Sequence, residues 1–138
     1  MIVDCAVYEK GQRKSGELGL AQAFEACQRD GSFVWLGLFE PTEEEFDSVR
    51  REFELHELAV EDAIHAHQRP KLEVYDDTVF IVLKPVRYVD EEEAIETGEI
   101  LLFAHPTFLV SVRHGLASEL GKVRRHLDQR PDLIAEGP

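Results

Sequence analysis

The sequence predicts an α/β domain in which helices pack on the faces of a mixed β-sheet. Strand-like and helix-like segments follow one another in the order β-α-β-α-α-β-β-β-β-α, which is typical of a mixed sheet. The 138 residues, 43% of them apolar, suffice for one hydrophobic core without disulfides. The sequence shows no internal repeat and no low-complexity tract, so we expect a single domain.

The first half of the chain predicts a strand, a helix, a second strand and a second helix. The first three ranges are Ile2 to Tyr8, Leu18 to Gln28 and Phe33 to Phe39. The polar, glycine-containing segment EKGQRKSGE predicts a loop or hairpin turn between the first strand and the helix. In EPTEEEF, Thr42 and Glu45 have the spacing of a capping box, and apolar residues follow at helical spacing. The second helix is therefore expected to begin after Thr42.

A third helix, four strands and a closing helix are predicted for the second half. The third helix runs from His56 to Ala66 and ends before Pro70, because a proline pushes the preceding residue out of helical geometry. The acidic run Asp90 to Glu96 predicts a solvated loop. The predicted strands are Leu72 to Tyr75, Thr78 to Tyr88, Ile100 to Ala104 and Phe108 to Val112, and the closing helix is marked by Leu116, Leu120, Val123 and Leu127.

The balance of charges excludes some partners. Fifteen basic and twenty-eight acidic residues give a formal net charge of -13, which repels phosphate backbones and anionic lipids and attracts cations or a basic partner. Nucleic-acid binding is therefore not expected. Cys5 and Cys27 are too far apart for a metal knuckle and predict reduced thiols in the cytoplasm. The runs TVFIVL and ILLFA are too short for a membrane-spanning helix, so the chain is not expected to cross a bilayer by itself.

The sequence does not match the common catalytic motifs. His56 and Glu57 would open an HExxH zinc motif, but Val60 occupies the place of its second histidine. There is no glycine-rich phosphate loop, no GxSxG elbow and no CxxC pair. Each of the six histidines is expected on the surface or in a loop. The sequence therefore predicts a protein that is not an enzyme.

The helix from His56 to Ala66 carries the main candidate site. At about 100° per residue, Glu61 and His65 share a polar face, whereas Asp62 lies at the border of the apolar face. A carboxylate in that position needs a partner. The residues leave open whether this partner is an arginine or lysine, a backbone N–H or a bound cation.

Three interpretations of this helix follow. Glu61 and Asp62 point about 100° apart, so a site for a hard cation such as Mg²⁺ or Ca²⁺ would need a second surface from another chain. Glu61, His65 and His67 would instead be zinc ligands, although His67 lies beyond the expected helix end. Their convergence on one ion would also favour a metal-dependent hydrolase that uses Asp62 and the histidines. In the simplest interpretation, Asp62 only pairs with a base such as Arg69.

The run from Phe33 to Tyr88 contains LAVEDAIHAHQRPKLE, in which Leu-x-x-Glu-Asp is followed by His-Gln-Arg-Pro-Lys and a strand. With this motif as its most diagnostic part, the run resembles the cytoplasmic N-terminal domain of the CorA family of magnesium transporters. The segment GEILLFAHPTFLVSVRHG, Gly98 to Gly115, is also similar to the family. The nearest alternative within the superfamily is a ZntB-like zinc transporter, which shares the architecture.

The resemblance implies a three-layer α/β/α sandwich and assigns residues 1–138 to the N-terminal domain of a magnesium or cobalt transporter, at the cytoplasmic face of the membrane. It implies a funnel-shaped homopentamer in which Asp62, with Glu61, binds regulatory Mg²⁺ between neighbouring subunits and holds the pore closed. The chain is expected to be a fragment that lacks the stalk helix, the two membrane spans and the Gly-Met-Asn signature. By itself we expect it to bind Mg²⁺ weakly, to form at most weak oligomers and to transport nothing.

Overall fold

A seven-stranded mixed β-sheet forms the centre of the computed structural model, which describes residues 1–14, 16, 18–65 and 67–138. The strands are β1 (Ile2–Glu9), β2 (Gln12–Arg13), β3 (Ser32–Phe39), β4 (Lys71–Tyr75), β5 (Thr78–Leu83), β6 (Val86–Val89), β7 (Ala94–Thr97), β8 (Glu99–His105) and β9 (Phe108–His114). The large sheet has the order β2-β1-β3-β9-β8-β5-β4, and β6 and β7 form a separate hairpin. Strands β3 and β9 are parallel, and the other neighbours are antiparallel.

Helices lie on both faces of this sheet. They are α1 (Leu20–Cys27), α2 (Glu43–Phe53), α3 (Glu57–Ile64), α4 (Gly121–Asp128) and α5 (Pro131–Ile134), with a 3₁₀ turn at Leu116–Ser118. Helices α1 to α3 bury their apolar residues on one face, in a core that includes Phe46, Phe80 and Val110. Helices α4 and α5 cover the β1–β3 half of the other face, where Ile134 packs with Trp35. The predicted α/β/α sandwich is confirmed.

The second face is covered only in part. On β4, the outward-facing side chains of Leu72 and Val74 are each 65% exposed.

Within the described ranges, no helix is long and apolar enough to cross a membrane.

The predicted start of α2 is confirmed in detail. The Thr42 hydroxyl accepts a hydrogen bond from the backbone N–H of Glu45 (3.2 Å), and the Glu45 carboxylate accepts one from the N–H of Thr42 (2.9 Å). Phe46, Val49 and Phe53 are then buried along one side of the helix. The capping box thus fixes where α2 begins, and the spacing of its apolar residues fixes which side faces the sheet.

The prediction of one strand from Thr78 to Tyr88 is wrong. Strand β5 ends at Leu83, because Pro85 has no N–H to donate to a ladder and the chain leaves the large sheet there. The solvated loop predicted for Asp90 to Glu96 is wrong for its second half. Ala94–Thr97 forms β7, and its Glu96 carboxylate pairs with Arg87 across the hairpin.

The single closing helix is also wrong. A 3₁₀ turn at Leu116–Ser118 is followed by α4, which begins at Gly121, a residue that weakens helix continuity. Leu120 and Leu127 pack against the core, as their spacing predicts, but Leu116 and Val123 are 67% and 48% exposed.

The remaining differences concern the ends of helices and strands, such as the start of β4 at Lys71 instead of Leu72. Helix α1 is shorter than predicted, because it begins after its N-cap, Gly19. The predicted hairpin turn after β1 is present, although Ser15 and Glu17 lie outside the described residues. The third helix ends at Ile64, and its predicted last residue, Ala66, also lies outside the described residues.

Candidate functional site

Helix α3 is held against the sheet by three small or branched residues. Ala59, Val60 and Ala63 are all buried, and the Nδ1 atom of His56 caps the helix by accepting the N–H of Leu58 at 3.3 Å. With these residues facing inward, the 100° helical step turns Glu61 to solvent. The polar and apolar faces predicted for this helix are confirmed.

Asp62 is turned towards β4, where it forms an ion pair with the Lys71 ammonium. Both side chains are a little under one third exposed. The Lys71 Nζ also lies 3.2 Å from a carboxylate oxygen of Glu73 and 5.7 Å from the centre of the Phe80 ring. The hydrogen bond to Asp62 raises the pKa of Lys71, so the ammonium is fully charged at neutral pH. The structure therefore gives Asp62 a cationic partner, which is Lys71 and not Arg69.

The polar cluster continues along the edge strand. The Tyr75 hydroxyl donates a hydrogen bond to Glu73, and this bond together with the one from Lys71 holds the pKa of the Glu73 carboxyl below its usual value. The Tyr75 ring stacks on that of His56, with 4.2 Å between the ring centres. A row of linked polar side chains thus lies beside α3, in the order carboxylate, ammonium, carboxylate and hydroxyl: Asp62, Lys71, Glu73 and Tyr75. Because β4 is the last strand of the sheet, this row lies at an open edge.

The alternative zinc ligands do not come together. The Nδ1 atom of His65 lies 2.9 Å from the backbone carbonyl oxygen of Glu61, so its ring folds back on the end of α3. His67 follows the helix with a positive φ of 82°, and its backbone N–H donates to Glu99. Among the described residues there is no group of three or more histidine, cysteine, aspartate or glutamate side chains placed to hold one ion.

Glu99 is a buried carboxylate that the sequence analysis did not identify. Its side chain is 4% exposed and accepts the backbone N–H groups of His67 (2.7 Å) and Gln68 (2.9 Å). The Lys84 ammonium lies 3.3 Å from the same carboxylate. Burial alone would raise the pKa of Glu99, but these three donors outweigh it and lower the pKa. Glu99 therefore fastens the HQRP segment after α3 to strand β8 and fixes the carboxyl end of that helix.

Comparison with known proteins supports the resemblance seen in the motifs. A family model described as "CorA-like Mg2+ transporter protein" matches residues 30–136. The putative metal ion transporter YfjQ of Bacillus subtilis (strain 168) is 32% identical over 111 residues, which are 80% of this chain and 34% of that protein. The cobalt/magnesium transport protein CorA of Thermotoga maritima is 29% identical over 82 residues, which are 59% of this chain and 23% of that protein. The chain thus spans about a third or less of these relatives.

Solved structures share the fold at low sequence identity. The soluble domain of CorA from Methanocaldococcus jannaschii superposes with a TM-score of 0.63 at 14% identity, covering 99% of this chain and 51% of that one. The ZntB cytoplasmic domain from Vibrio parahaemolyticus gives 0.57 at 10% identity, with the same coverage of 99% and 51%. Because both share the architecture, the fold does not distinguish a CorA domain from a ZntB domain.

Proposed function

From the premise that this chain belongs to the CorA-like Mg²⁺ transporter protein family, we propose that it is the cytoplasmic domain through which a magnesium or cobalt transporter senses Mg²⁺. Asp62 is the carboxylate that binds the ion, and Glu61 contributes from the solvent-facing side of α3. The domain does so without enzymatic activity. The names of the relatives from B. subtilis and T. maritima, both metal-ion transporters, support this proposal.

The observation that carries the proposal is the ion pair between Asp62 and Lys71. It marks a partly exposed position at which the fold stabilises a positive charge beside α3. A divalent cation that approaches Asp62 has to displace the ammonium, so Lys71 acts as a tethered competitor. A single carboxylate with an internal competitor gives Mg²⁺ an affinity of roughly millimolar or weaker.

A second surface is needed for tighter binding. Glu61 diverges from Asp62 on the helix and faces solvent, so one α3 cannot enclose an ion with both carboxylates. In the proposed homopentamer a neighbouring subunit supplies further carboxylate oxygens along the open edge next to β4. Binding of Mg²⁺ then links subunits and favours the closed state, while the membrane is reached only through segments outside this chain.

The local part of the proposal is tested by titrating the chain with Mg²⁺ and following backbone amide chemical shifts. We expect shifts centred on α3 and β4 in the parent, and their loss in Asp62→Asn. Lys71→Met removes the competing ammonium. Solvent weakens the attraction between Asp62 and Lys71 to about 1 kcal/mol because the pair is partly exposed, so its removal should tighten Mg²⁺ binding roughly fivefold. Lys122→Met, an exposed lysine on α4, is the matched charge control and is expected to change little.

Two results would contradict the local assignment. Either Asp62→Asn retains the Mg²⁺-dependent shifts, or Lys71→Met binds no more tightly than Lys122→Met.

The sensing role is tested in the full-length protein. Asp62→Lys places an ammonium where the ion would bind, so protection from proteolysis in the closed state should become independent of added Mg²⁺. His65→Ala should leave the Mg²⁺ response nearly intact. The opposite pattern would favour a zinc-type site in which His65 is a ligand.

A further inference from the structure

The hairpin of β6 and β7 exposes three large apolar side chains on one of its faces. Tyr88 lies directly opposite Ile95, and Val86 precedes Tyr88 by two positions, so all three project to the same side. Their exposed fractions are 65% for Val86, 59% for Tyr88 and 66% for Ile95. Single exposed apolar residues are common, but a contiguous group of them points to an interaction site. These three residues are called the apolar strip below.

The opposite face of the hairpin is different. Val89 and Ala94 are half-buried on that face. Beside them, Arg87 donates from its Nε to the Glu96 carboxylate at 2.9 Å, so the charged groups of that face pair with each other. The hairpin therefore turns its paired and partly covered face towards the domain and its apolar strip towards solvent.

Contacts at the base hold the hairpin in place. The backbone N–H of Gly98 donates to the carbonyl oxygen of Pro85 at 2.9 Å. Gly115 has a φ of +78°, and a Cβ there would lie 2.8 Å from the carbonyl oxygen of Thr97, so glycine allows this close approach. A two-stranded hairpin by itself is only marginally stable in water, and these contacts supply the missing support. A partner that binds the apolar strip consequently meets an ordered surface and loses little entropy in ordering it.

The turn at the far end of the hairpin is strongly acidic. Residues 90–93 join β6 to β7, and all four are carboxylates exposed to solvent: Asp90, Glu91, Glu92 and Glu93. None of them forms an ion pair with another described residue. Tyr88 and Ile95 each lie two residues from this turn, which is roughly 7 Å along a strand. The apolar strip thus ends beside a concentrated negative charge.

We propose that the apolar strip and the acidic turn together bind a basic amphipathic segment of a partner protein. Large apolar side chains of that segment cover the strip, and its lysines or arginines pair with the four carboxylates. The formal net charge of -13 favours the approach of a basic partner. The same charge disfavours the two other occupants of an apolar surface, since a second copy of the chain and an anionic membrane are both repelled by the acidic turn.

The probe for this proposal is a short fluorescent peptide in which leucines and lysines form the apolar and the basic face of a helix. Its binding to the 138-residue chain is measured by fluorescence anisotropy. Two comparison peptides replace the lysines by glutamates or the leucines by serines. We expect saturable binding of the leucine–lysine peptide and little binding of the other two. Added salt should weaken this binding, because it screens exposed charges.

One pair of double variants tests the apolar strip. The strip variant, Tyr88→Ser with Ile95→Ser, removes two of its three side chains and should lower the affinity for the leucine–lysine peptide about tenfold or more. The β4 control, Leu72→Ser with Val74→Ser, removes two apolar side chains of similar exposure from another part of the domain. It should bind the peptide as the parent does.

A second pair tests the acidic turn. The turn variant, Glu91→Gln with Glu92→Gln, should weaken binding severalfold at low salt and reduce its salt dependence. The α2 control, Glu43→Gln with Glu44→Gln, makes the same charge change at two exposed residues elsewhere and should alter the affinity little.

The proposal is overturned if the leucine–lysine peptide does not bind saturably, if either comparison peptide binds as tightly, or if the β4 control weakens binding as much as the strip variant. Two further measurements examine the other occupants. A parent dimer in sedimentation that the strip variant loses identifies a second copy, and flotation with phosphatidylcholine vesicles that this variant loses identifies a lipid surface. Either result also overturns the proposal. If the strip variant does not fold, the turn variant decides, and binding no weaker than that of the α2 control refutes the site.

Discussion

Replacement of Glu99 by glutamine should destabilise the domain strongly, although it only exchanges one carboxylate oxygen for an NH₂ group. In the parent, two backbone N–H groups and the Lys84 ammonium all donate to one buried carboxylate. The glutamine amide offers one oxygen and turns an NH₂ towards a donor. One charge-assisted hydrogen bond is lost and one buried donor is left unsatisfied, so the free energy of unfolding should fall by about 3 kcal/mol. For a chain of this length that corresponds to a melting temperature lower by roughly 10 °C.

Thermal and urea unfolding followed by circular dichroism measure this difference in stability. Repeating the measurement at several pH values isolates the part that depends on the charge of Glu99. Because the folded-state pKa of Glu99 is lowered, its contribution is complete above the usual carboxyl value of 4.5 and is lost as pH falls through the lower folded-state value. The gap in stability between parent and Glu99→Gln should therefore be constant near neutral pH and shrink in acid.

Glu96→Gln is the matched control for this experiment. The Glu96 side chain is 23% exposed and pairs with Arg87 on the β6–β7 hairpin, so its loss should cost at most about 1 kcal/mol. If Glu99→Gln is no less stable than Glu96→Gln, or if the gap persists unchanged in acid, the assignment of Glu99 as an ionised clamp is refuted.

The remaining predictions concern the core and the helix ends. Phe46→Ala removes a side chain with no exposed surface between α2 and the sheet and should lower the free energy of unfolding by about 3–5 kcal/mol in urea denaturation, whereas Leu72→Ala, 65% exposed, should cost far less. Thr42→Ala removes one half of the α2 capping box and should lower the free energy of unfolding by about 1 kcal/mol in the same assay. Thr42→Ser keeps the capping hydroxyl and should retain most of that stability. Tyr8→Phe deletes the hydroxyl bonded to Asp128 and should lower the free energy of unfolding by about 1 kcal/mol. An unchanged unfolding midpoint would contradict this prediction.

The sequence was most informative where the structure depends on neighbouring residues. Thr42, Glu45 and Phe46 lie within five positions of one another, and they set the start and the buried side of α2. Apolar runs such as Phe33 to Phe39 formed central strands, because a run that is buried on both faces needs no polar alternation. Predictions failed where two signals competed. Pro85 ended a run that looked continuous, and pairing with β6 drew the acidic Glu96 into a strand.

Glu99 was missed because its partners are distant in sequence. His67 and Gln68 lie 32 and 31 positions before it, and nothing local marks the glutamate at the start of an apolar run as buried. Only the antiparallel arrangement of β8 next to β5, with β4 beyond it, brings the HQRP segment over Glu99. A buried carboxylate that binds backbone N–H groups carries no motif of its own, so a single sequence cannot show it.

The partner of Asp62 was decided by strand parity. Helical spacing predicted that Asp62 needs a partner, with a base, a backbone N–H and a bound cation all left open, and Arg69 was the base given as an example. Arg69 precedes Pro70, however, and lies outside the strand, whereas Lys71 is the first residue of β4. Side chains of a strand alternate between its faces, so Lys71 and Glu73 point towards α3 and Leu72 points to the opposite face. A start of the strand at Leu72, as the sequence suggested, leaves the orientation of Lys71 undetermined. Because β4 begins one residue earlier than predicted, Lys71 lies on the face that meets α3 and pairs with Asp62. The Mg²⁺ affinity of the proposed site therefore depends on Lys71.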